Sequence, residues 1–383
     1  MNTLGSTSGS ENGGSPLSKH RVVYRYILDG IRTGEFRPRQ KLPSDQELSR
    51  QFKTSRMTVI RALNDLQMEG YVNRRAGSGS FVCAPPSNQS LTFGLLIPDL
   101  GMTEIFEPIC RGMAQADSLG PHVLLWGKTP PGVSNHETLG RELCRFFISQ
   151  KASGVFFAPL ELTPYMDEVN LEIANGLDQA GIPIILLDRC ILPYPYRSRY
   201  DLVGIDNRLA GYRMTEHLLQ HGCRSLVFFA RPRSAPAVDG RISGFRDAHI
   251  AWKLPLNEKM VQRCQTDEPQ LIAKMLDECK PDGVVCANDL TAGRLMQTLA
   301  VLGVSIPRDL RIVGFDDVKY SHLLSVPLTT LRQPCHAMGA VAVGAMLERI
   351  AHPSMPAREI LLDCELVERQ SCGSALPGTP INS

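Results

Sequence analysis

Apolar positions near the start of the chain recur first at helical spacing. Val23, Ile27 and Ile31 fall four apart, with Ser18 ahead of them and Gly34 behind, which predicts a helix opened by a Ser cap and closed by Gly. In Pro43-Ser44-Asp45-Gln46-Glu47 a Ser precedes a Glu by three positions, the spacing of a capping box, and a second helix burying Leu48 and Phe52 is expected. Ser55 opens a third helix whose apolar face is Val59, Ala62, Leu63 and Leu66. The turn between the second and third helices is short, so the pair reads as a helix-turn-helix. After Gly70 the pattern shifts to strands, Tyr71-Val72-Asn73 and Ser80-Phe81-Val82, joined through the hairpin tip Arg74-Arg75-Ala76-Gly77-Ser78-Gly79.

From residue 91 to 372 a different rhythm takes over. Short apolar runs at 93–98, 123–126, 154–158, 183–187, 226–230, 283–287 and 311–315 alternate with helical patterns such as Ala292, Leu295, Met296 and Leu299. Strand followed by helix, many times over, predicts an α/β fold of parallel sheets with helices on both faces. The segment is too long for one comfortable core, so two lobes are expected. Residues 84–90 carry two prolines and no apolar period and read as a linker, while 1–16 and 373–383 read as unstructured tails. The expected organisation is thus a winged helix-turn-helix at 17–83 and a two-lobed domain at 91–372.

Composition narrows the class. The chain has 383 residues, 43% of them hydrophobic, and no apolar stretch long enough for a membrane span. Its N-terminus lacks the basic start and apolar core of a secretory signal. The 11 cysteines include no C-x-x-C pair, which fits reduced thiols in a cytoplasmic protein better than a disulfide framework or a zinc knuckle. The net charge of +2 conceals an asymmetry. Residues 17–83 hold 13 Lys and Arg against 6 Asp and Glu, net +7, whereas 84–383 hold 28 against 32, net −4. A basic head on a mildly acidic body directs a polyanion to the head alone.

Arg56, Met57, Ile60, Arg61 and Asn64 lie off the apolar stripe of the third helix and form its candidate groove face, where an Arg can take guanine bidentately. Ser44 and Thr58 are candidate phosphate contacts, and Arg74, Arg75 and the glycines of the wing suit close approach to DNA. Taken singly, Arg56 and Arg61 are ordinary solvated charges. Together with the capped helices, the basic wing and the charge excess they favour DNA. The series Lys41-Leu42-Pro43-Ser44-Asp45-Gln46-Glu47-Leu48, Ser55-Arg56-Met57-Thr58-Val59-Ile60-Arg61-Ala62-Leu63, Gly70-Tyr71-Val72 and Gly77-Ser78-Gly79-Ser80-Phe81-Val82 resembles the GntR-type winged helix over all of 17–83. The resemblance implies operator contacts at Ser44, Ser55, Arg56, Thr58 and the wing around Gly77. Two positions depart from it. Ile60 and Gln46 stand where many members carry Arg, and Ile60 suits a thymine methyl instead.

The second domain resembles the LacI-type sensor, whose fold is that of periplasmic sugar-binding proteins. The resemblance rests on Phe93-Gly94-Leu95-Leu96-Ile97-Pro98-Asp99, Ile182-Pro183-Ile184-Ile185-Leu186-Leu187-Asp188-Arg189, Val203-Gly204-Ile205-Asp206-Asn207 and Gly240-Arg241-Ile242-Ser243-Gly244-Phe245. It continues through Ala287-Asn288-Asp289, Val313-Gly314-Phe315-Asp316-Asp317 and Pro327-Leu328-Thr329-Thr330-Leu331-Arg332-Gln333-Pro334. Ligands in open α/β sheets sit beyond the C-terminal strand ends, where Asp99, Asp188, Asn288 and Asp316 fall here. Carboxylates and amides accept hydroxyl protons, Arg241 donates in return, and Phe106 offers a ring to an apolar sugar face. Such residues also serve as helix caps, the reading preferred for Asp289. The resemblance further implies interleaved lobes, one of 91–198 with a helix near 334–352, the other of 201–330 with a strand near 358–369. It implies a hinge switch, a homodimer on a palindromic DNA operator and membership of a hybrid class of carbohydrate regulators.

Other chemistry weighs little. His217 and His221 are four apart with Cys223 nearby, a spacing that suits zinc, but Gly222 ends the helix there and a cationic His suits a helix C-terminus, so no metal is expected. No G-x-S-x-G, P-loop or H-E-x-x-H motif is present, and Gly77-x-Gly79 lacks the context of a phosphate loop. Asp316-Asp317 are adjacent and point to opposite faces of an extended chain. The sequence therefore predicts a cytoplasmic, dimeric DNA-binding repressor released by a sugar-like effector, with no catalysis and no cofactor. The competing readings are a transport-type binding protein and an enzyme on the α/β domain. The first is disfavoured by the complete winged helix, the second by the missing nucleophile and base.

Overall fold

In the computed structural model the described residues are 18–37, 40–68, 70–75, 79–82, 91–98, 104–116, 122–127 and 135–374. The tails and the linker expected from the sequence therefore lie outside them, apart from Gly373 and Ser374. The chain divides into two compact units, 1–90 and 91–383.

Among its described residues the first unit holds three helices, α1 (Lys19–Arg32), α2 (Asp45–Gln51) and α3 (Arg56–Met68), and a two-stranded antiparallel hairpin, β1 (Val72–Arg75) with β2 (Gly79–Val82). Val23, Ile27, Leu48, Val59, Leu63, Leu66, Val72 and Val82 interlock as its core, which follows the periodicity of the apolar positions. Ser44 and Glu47 form the expected capping box, each side chain bonded to the other's backbone N–H. Ser55 caps α3 through Thr58 N–H at 3.1 Å. Ser18 stands at the N-cap of α1 but makes no side-chain cap bond. Gly34 and Gly70 follow their helices at φ of 82° and 78°, a conformation that costs glycine little.

The second unit contains two six-stranded sheets. The first comprises β3 (Leu91–Leu96), β4 (His122–Trp126), β5 (Gly154–Phe157), β6 (Ile184–Leu187), β7 (Asp201–Ile205) and β13 (Glu359–Leu362), in the order β13-β7-β6-β5-β3-β4 and all parallel. The second comprises β8 (Leu226–Ala230), β9 (Val261–Arg263), β10 (Gly283–Cys286), β11 (Arg311–Asp316), β12 (Thr329–Arg332) and β14 (Glu365–Val367), in the order β14-β12-β11-β10-β8-β9. Among the described residues only β14 is antiparallel to its neighbour. All seven apolar runs picked out in the sequence contain strands.

Each sheet is covered on both faces. On the first, α4 (Phe106–Ala114) and α11 (Cys335–Ala351) bury Phe93, Phe156, Ile185 and Val203, while α5 (His136–Ser149) and α6 (Met166–Gln179) bury Val155, Phe157, Ile184 and Leu186. On the second, α7 (Asn207–Gln220) and α8 (Pro236–Ala251) cover Phe228, Val285, Val313 and Phe315. The opposite face, with Phe229, Val284 and Ile312, lies under α9 (Pro269–Cys279) and α10 (Asp289–Val301). Strands buried on both faces read as continuous apolar runs rather than alternations.

The interleaving differs in detail from the expected one. β7 belongs to the first lobe, where Ile185 pairs with Asp201 and Leu187 with Val203, so the chain crosses to the second lobe only after Ile205. The segment assigned to one late strand is two strands that part at Asp363, β13 on β7 and β14 on β12. The physical reason lies partly in Asp201. It is buried and accepts two bonds from Arg349 of α11, each 3.0 Å, and a third from Arg358 N–H at 2.8 Å, which anchors the start of β13 beside β7. The chain therefore passes between the lobes three times, after β7, after β12 and after β13.

Candidate functional sites

On α3 the residues expected to meet DNA divide by exposure. Ser55, Arg56, Met57, Arg61 and Asn64 are exposed, Thr58 and Ile60 half-buried, and Val59, Ala62 and Leu63 buried. Ser44 is exposed at the start of α2, where its hydroxyl also donates to Glu47. Arg74 departs from expectation. Its two terminal nitrogens donate to Asn64 and to Asp45, each at 2.8 Å, so the side chain ties the wing strand to α2 and α3 instead of reaching outward. Asn64 is thereby engaged as well. Arg75 ends β1, and Gly77 lies outside the described residues.

In the second unit, side chains from both lobes converge at the C-terminal strand ends. Asp188 follows β6 and Asp316 ends β11, both at positive φ, 67° and 109°. Non-glycine residues in this region carry strain that functional sites often retain. Both carboxylates are buried. Arg241 of α8 is also buried. Its Nε donates to Asn207 at 2.9 Å, one terminal nitrogen donates to the Ala287 carbonyl at 2.5 Å, and the other stands 4.0 Å from Asp316. The guanidinium lies over the Phe315 ring, 4.5 Å from its centroid. Gln333 donates to Asp316 at 2.8 Å. On the first-lobe side Arg189 pairs with Glu161 at 2.6 Å and with Asp188 at 3.1 Å. Asp188 Oδ1 and Gln333 Oε1 are buried without a hydrogen-bond partner among the described residues, a cost a ligand donor would relieve.

The electrostatics follow from burial. It pushes the Asp316 carboxyl up to about 6, against the opposing pull of Arg241 and Gln333. Burial also raises Glu161, but Arg189 and the Ala235 N–H outweigh it and hold that group below the usual carboxylate range. Counting Asp188, Asp316 and Glu161 against Arg189 and Arg241, the cluster is short of positive charge. It suits a neutral, hydroxyl-bearing ligand better than an anion. A cavity of about 320 Å³ adjoins it, lined by Asp188, Arg189, Asn207, Gly240, Tyr194 and Tyr196, a size that suits a small ligand. The lobes also touch directly: Lys319 donates to Glu104 through its N–H at 3.0 Å and to Glu107 through Nζ at 2.8 Å, and Ala235 N–H donates to Glu161 at 3.1 Å.

Three sequence expectations change. Phe106 is fully buried in the first-lobe core and its ring faces Arg189 at 5.4 Å, so it serves as a support rather than an open platform. Asn288, expected to meet ligand, is the N-cap of α10; its Oδ1 takes Thr291 N–H at 2.9 Å and the Thr291 hydroxyl at 2.7 Å. Asp289, expected to cap, is wholly buried and bonded to Thr330 and Val318 N–H, and burial with the neighbouring Asp316 raises its carboxyl well above the ordinary range. Asp99 lies outside the described residues. Sequence reasoning did not single out Glu161, Arg189, Asn207 or Gln333. The last three sit within the quoted motifs, but only the fold shows that they touch the buried charges.

This is the arrangement of a DNA-binding head joined to a two-lobed sensor. Residues 19–82 match the model of bacterial regulatory proteins of the gntR family, and residues 215–372 match the periplasmic binding protein-like domain. The chain thus carries a gntR-family winged helix-turn-helix domain and a periplasmic-binding-protein-like sensor domain. It is 28% identical to the arabinose metabolism transcriptional repressor of Geobacillus stearothermophilus over 93% of this chain and 98% of that protein. It is 25% identical to the ribose operon repressor of Halalkalibacterium halodurans over 85% of this chain and 96% of the other. A LacI-family regulator from Enterococcus faecium solved with bound ribose shares the fold, with a TM-score of 0.58 at 24% identity over 73% of this chain and 98% of that one. Among the described residues no helix is long and apolar enough to cross a membrane.

Proposed function

We propose that the protein represses carbohydrate-utilisation genes and leaves its operator when a neutral sugar occupies the cleft between the lobes. The observation that carries this reading is the buried set Asp188, Arg241 and Asp316, drawn from both lobes, with an unpartnered oxygen on Asp188. The names of the arabinose and ribose repressors support a sugar as effector. In this reading Asp188, Arg241 and Asp316 hold ligand hydroxyls, Asn288 contributes its amide nitrogen, and Asp99 is a further candidate ligand contact. Ser55, Arg56, Met57, Thr58, Ile60 and Arg61 face the operator, with Ser44, Arg75 and Gly77 at the backbone. The domains run 17–83 and 91–372 with 84–90 as linker. The regulator works as a cytoplasmic homodimer on a palindromic site and catalyses nothing.

The test is selection of duplex DNA by the full-length protein, followed by a screen of neutral pentoses and hexoses for release of the selected site. Enrichment of a palindrome and its release by one sugar support the reading. A sugar that tightens operator binding overturns the direction of the switch, and release only by sugar acids or phosphates overturns the neutral ligand.

A further inference from the structure

The C-terminal end of α7 carries a second cluster, at the opposite end of the helix from Asn207. His217 and His221 are four residues apart, so their rings share one face, with centroids 4.3 Å apart. The segment after β14 brings two more groups beside them. Glu368 Oε1 lies 3.4 Å from His221 Nε2, and Cys372 is wholly buried. One ligand-capable atom from each of the four side chains lies within 4.8 Å of the others. Around a tetrahedral zinc with bonds of about 2.0–2.3 Å, ligand atoms stand roughly 3.3–3.8 Å apart, so the cluster needs only a small contraction.

Independent features point to an ion rather than to a packed histidine pair. His217 is 5% exposed, and its Nε2 is buried with no hydrogen-bond partner among the described residues, which is costly for a polar atom in a core. The His221 Nδ1–H donates to the His217 carbonyl at 2.8 Å, which turns its Nε2 toward Glu368. A backbone bond of that kind fixes the orientation of many metal-ligating histidines. Cys223, the neighbour in sequence, is turned elsewhere: its sulfur donates to Asp282 O and accepts from Arg311.

We infer that His217, His221, Glu368 and Cys372 form a closed site for a borderline divalent cation such as Zn²⁺, which clamps the segment after β14 onto α7. Two imidazoles, a carboxylate and a thiolate match that donor preference, and four protein ligands leave no open position for catalysis. Thiolate ligation releases the Cys372 proton to solvent on binding.

The test uses full-length protein stripped with a chelator and titrated with Co²⁺. One cobalt per chain is expected, with tetrahedral visible bands and a near-ultraviolet thiolate-to-cobalt charge-transfer band, both abolished by Zn²⁺. Cys372→Ser removes the charge-transfer band. Glu368→Gln, at a half-exposed position that the fold tolerates, weakens cobalt binding by at least about tenfold, as even outer-shell changes do at metal sites. Absence of the charge-transfer band in the parent protein overturns the site. So does its survival in folded Cys372→Ser, or unchanged affinity in Glu368→Gln.

Discussion

The α-carbon of Gly211 rests against the backbone of Arg241 so closely that a β-carbon would overlap the Arg241 carbonyl oxygen. Gly244 meets the carbonyl of Arg208 in the same way, so α7 and α8 cross with their backbones in contact. The residue that donates into the cleft is therefore positioned by a glycine on the neighbouring helix. Gly211→Ala is expected to push the helices apart, cost roughly 1–3 kcal/mol of stability through overpacking and weaken effector binding. Gly176→Ala in α6 provides the contrast. Its added methyl would meet Cys144 Sγ at 3.5 Å, an ordinary contact, and loss of a mid-helix glycine should stabilise by about 0.5–1 kcal/mol. Thermal melts of the two variants should move in opposite directions.

Arg241 and Asp316 should behave as a unit toward the effector. Arg241→Met strips Asp316 of its nearest cation and the ligand of a donor. Affinity for the effector should fall by about 2–5 kcal/mol, while operator binding without effector stays near the parent value. Calorimetric titration reads the first and a mobility shift the second. An effector response within a few-fold of the parent would remove Arg241 from the site.

Acidity should act on the sensor through Asp316, whose carboxyl is raised to about 6 by burial. If its ionised form accepts ligand hydroxyls, effector affinity is full above that value and falls as pH drops through it, approaching about tenfold per pH unit. Folding stability runs the other way. Between the ordinary carboxylate value of 3.8 and about 6 the folded state binds more protons than the unfolded chain, so this group's contribution declines as pH rises across that window. Asp316→Asn should flatten both profiles between pH 4 and about 7. An effector isotherm as steep in the Asn variant as in the parent would assign the dependence elsewhere.

In the head, Arg56→Ala and Arg74→Ala should fail for different reasons. Arg56 is exposed at the start of α3, and its loss should cost about 1–3 kcal/mol of operator binding. Arg74 is spent on Asn64 and Asp45. Its removal should lower the melting temperature of the head and leave the slope of log affinity against log salt unchanged, whereas loss of a phosphate contact reduces that slope by about 1. A reduced slope for Arg74→Ala would restore it to the interface.

The parts of this structure legible in the sequence are those governed by local rules. The capping box at Ser44, the apolar stripe through Val59 and Leu66 and the doubly buried strands each follow from a period or a spacing within a few residues. The carboxylates at 188 and 316 were legible because strand ends can be read from apolar runs. What was not legible depends on pairs far apart in the chain. Nothing near Arg74 announces that Asp45 will take its charge, and nothing near Phe106 that Arg189 will cover its ring. That Asn288 rather than Asp289 caps α10 turns on a shift of one residue in where the helix begins. The His217 pair looked unsupported because its neighbours Glu368 and Cys372 arrive some 150 residues later.

The threefold passage of the chain between the lobes also sets an order of assembly. The head is complete in the first quarter of the chain and has its own core, so it can fold while synthesis continues. The sensor has no such freedom. One face of its first sheet waits for α11, and the edge of that sheet beside β7 waits for β13. A ribosome that stalls before residue 359 is expected to release a folded DNA-binding head on an unfinished sensor. On the proposed function such a fragment binds DNA without answering to an effector, which makes completion of the polypeptide itself a condition for control.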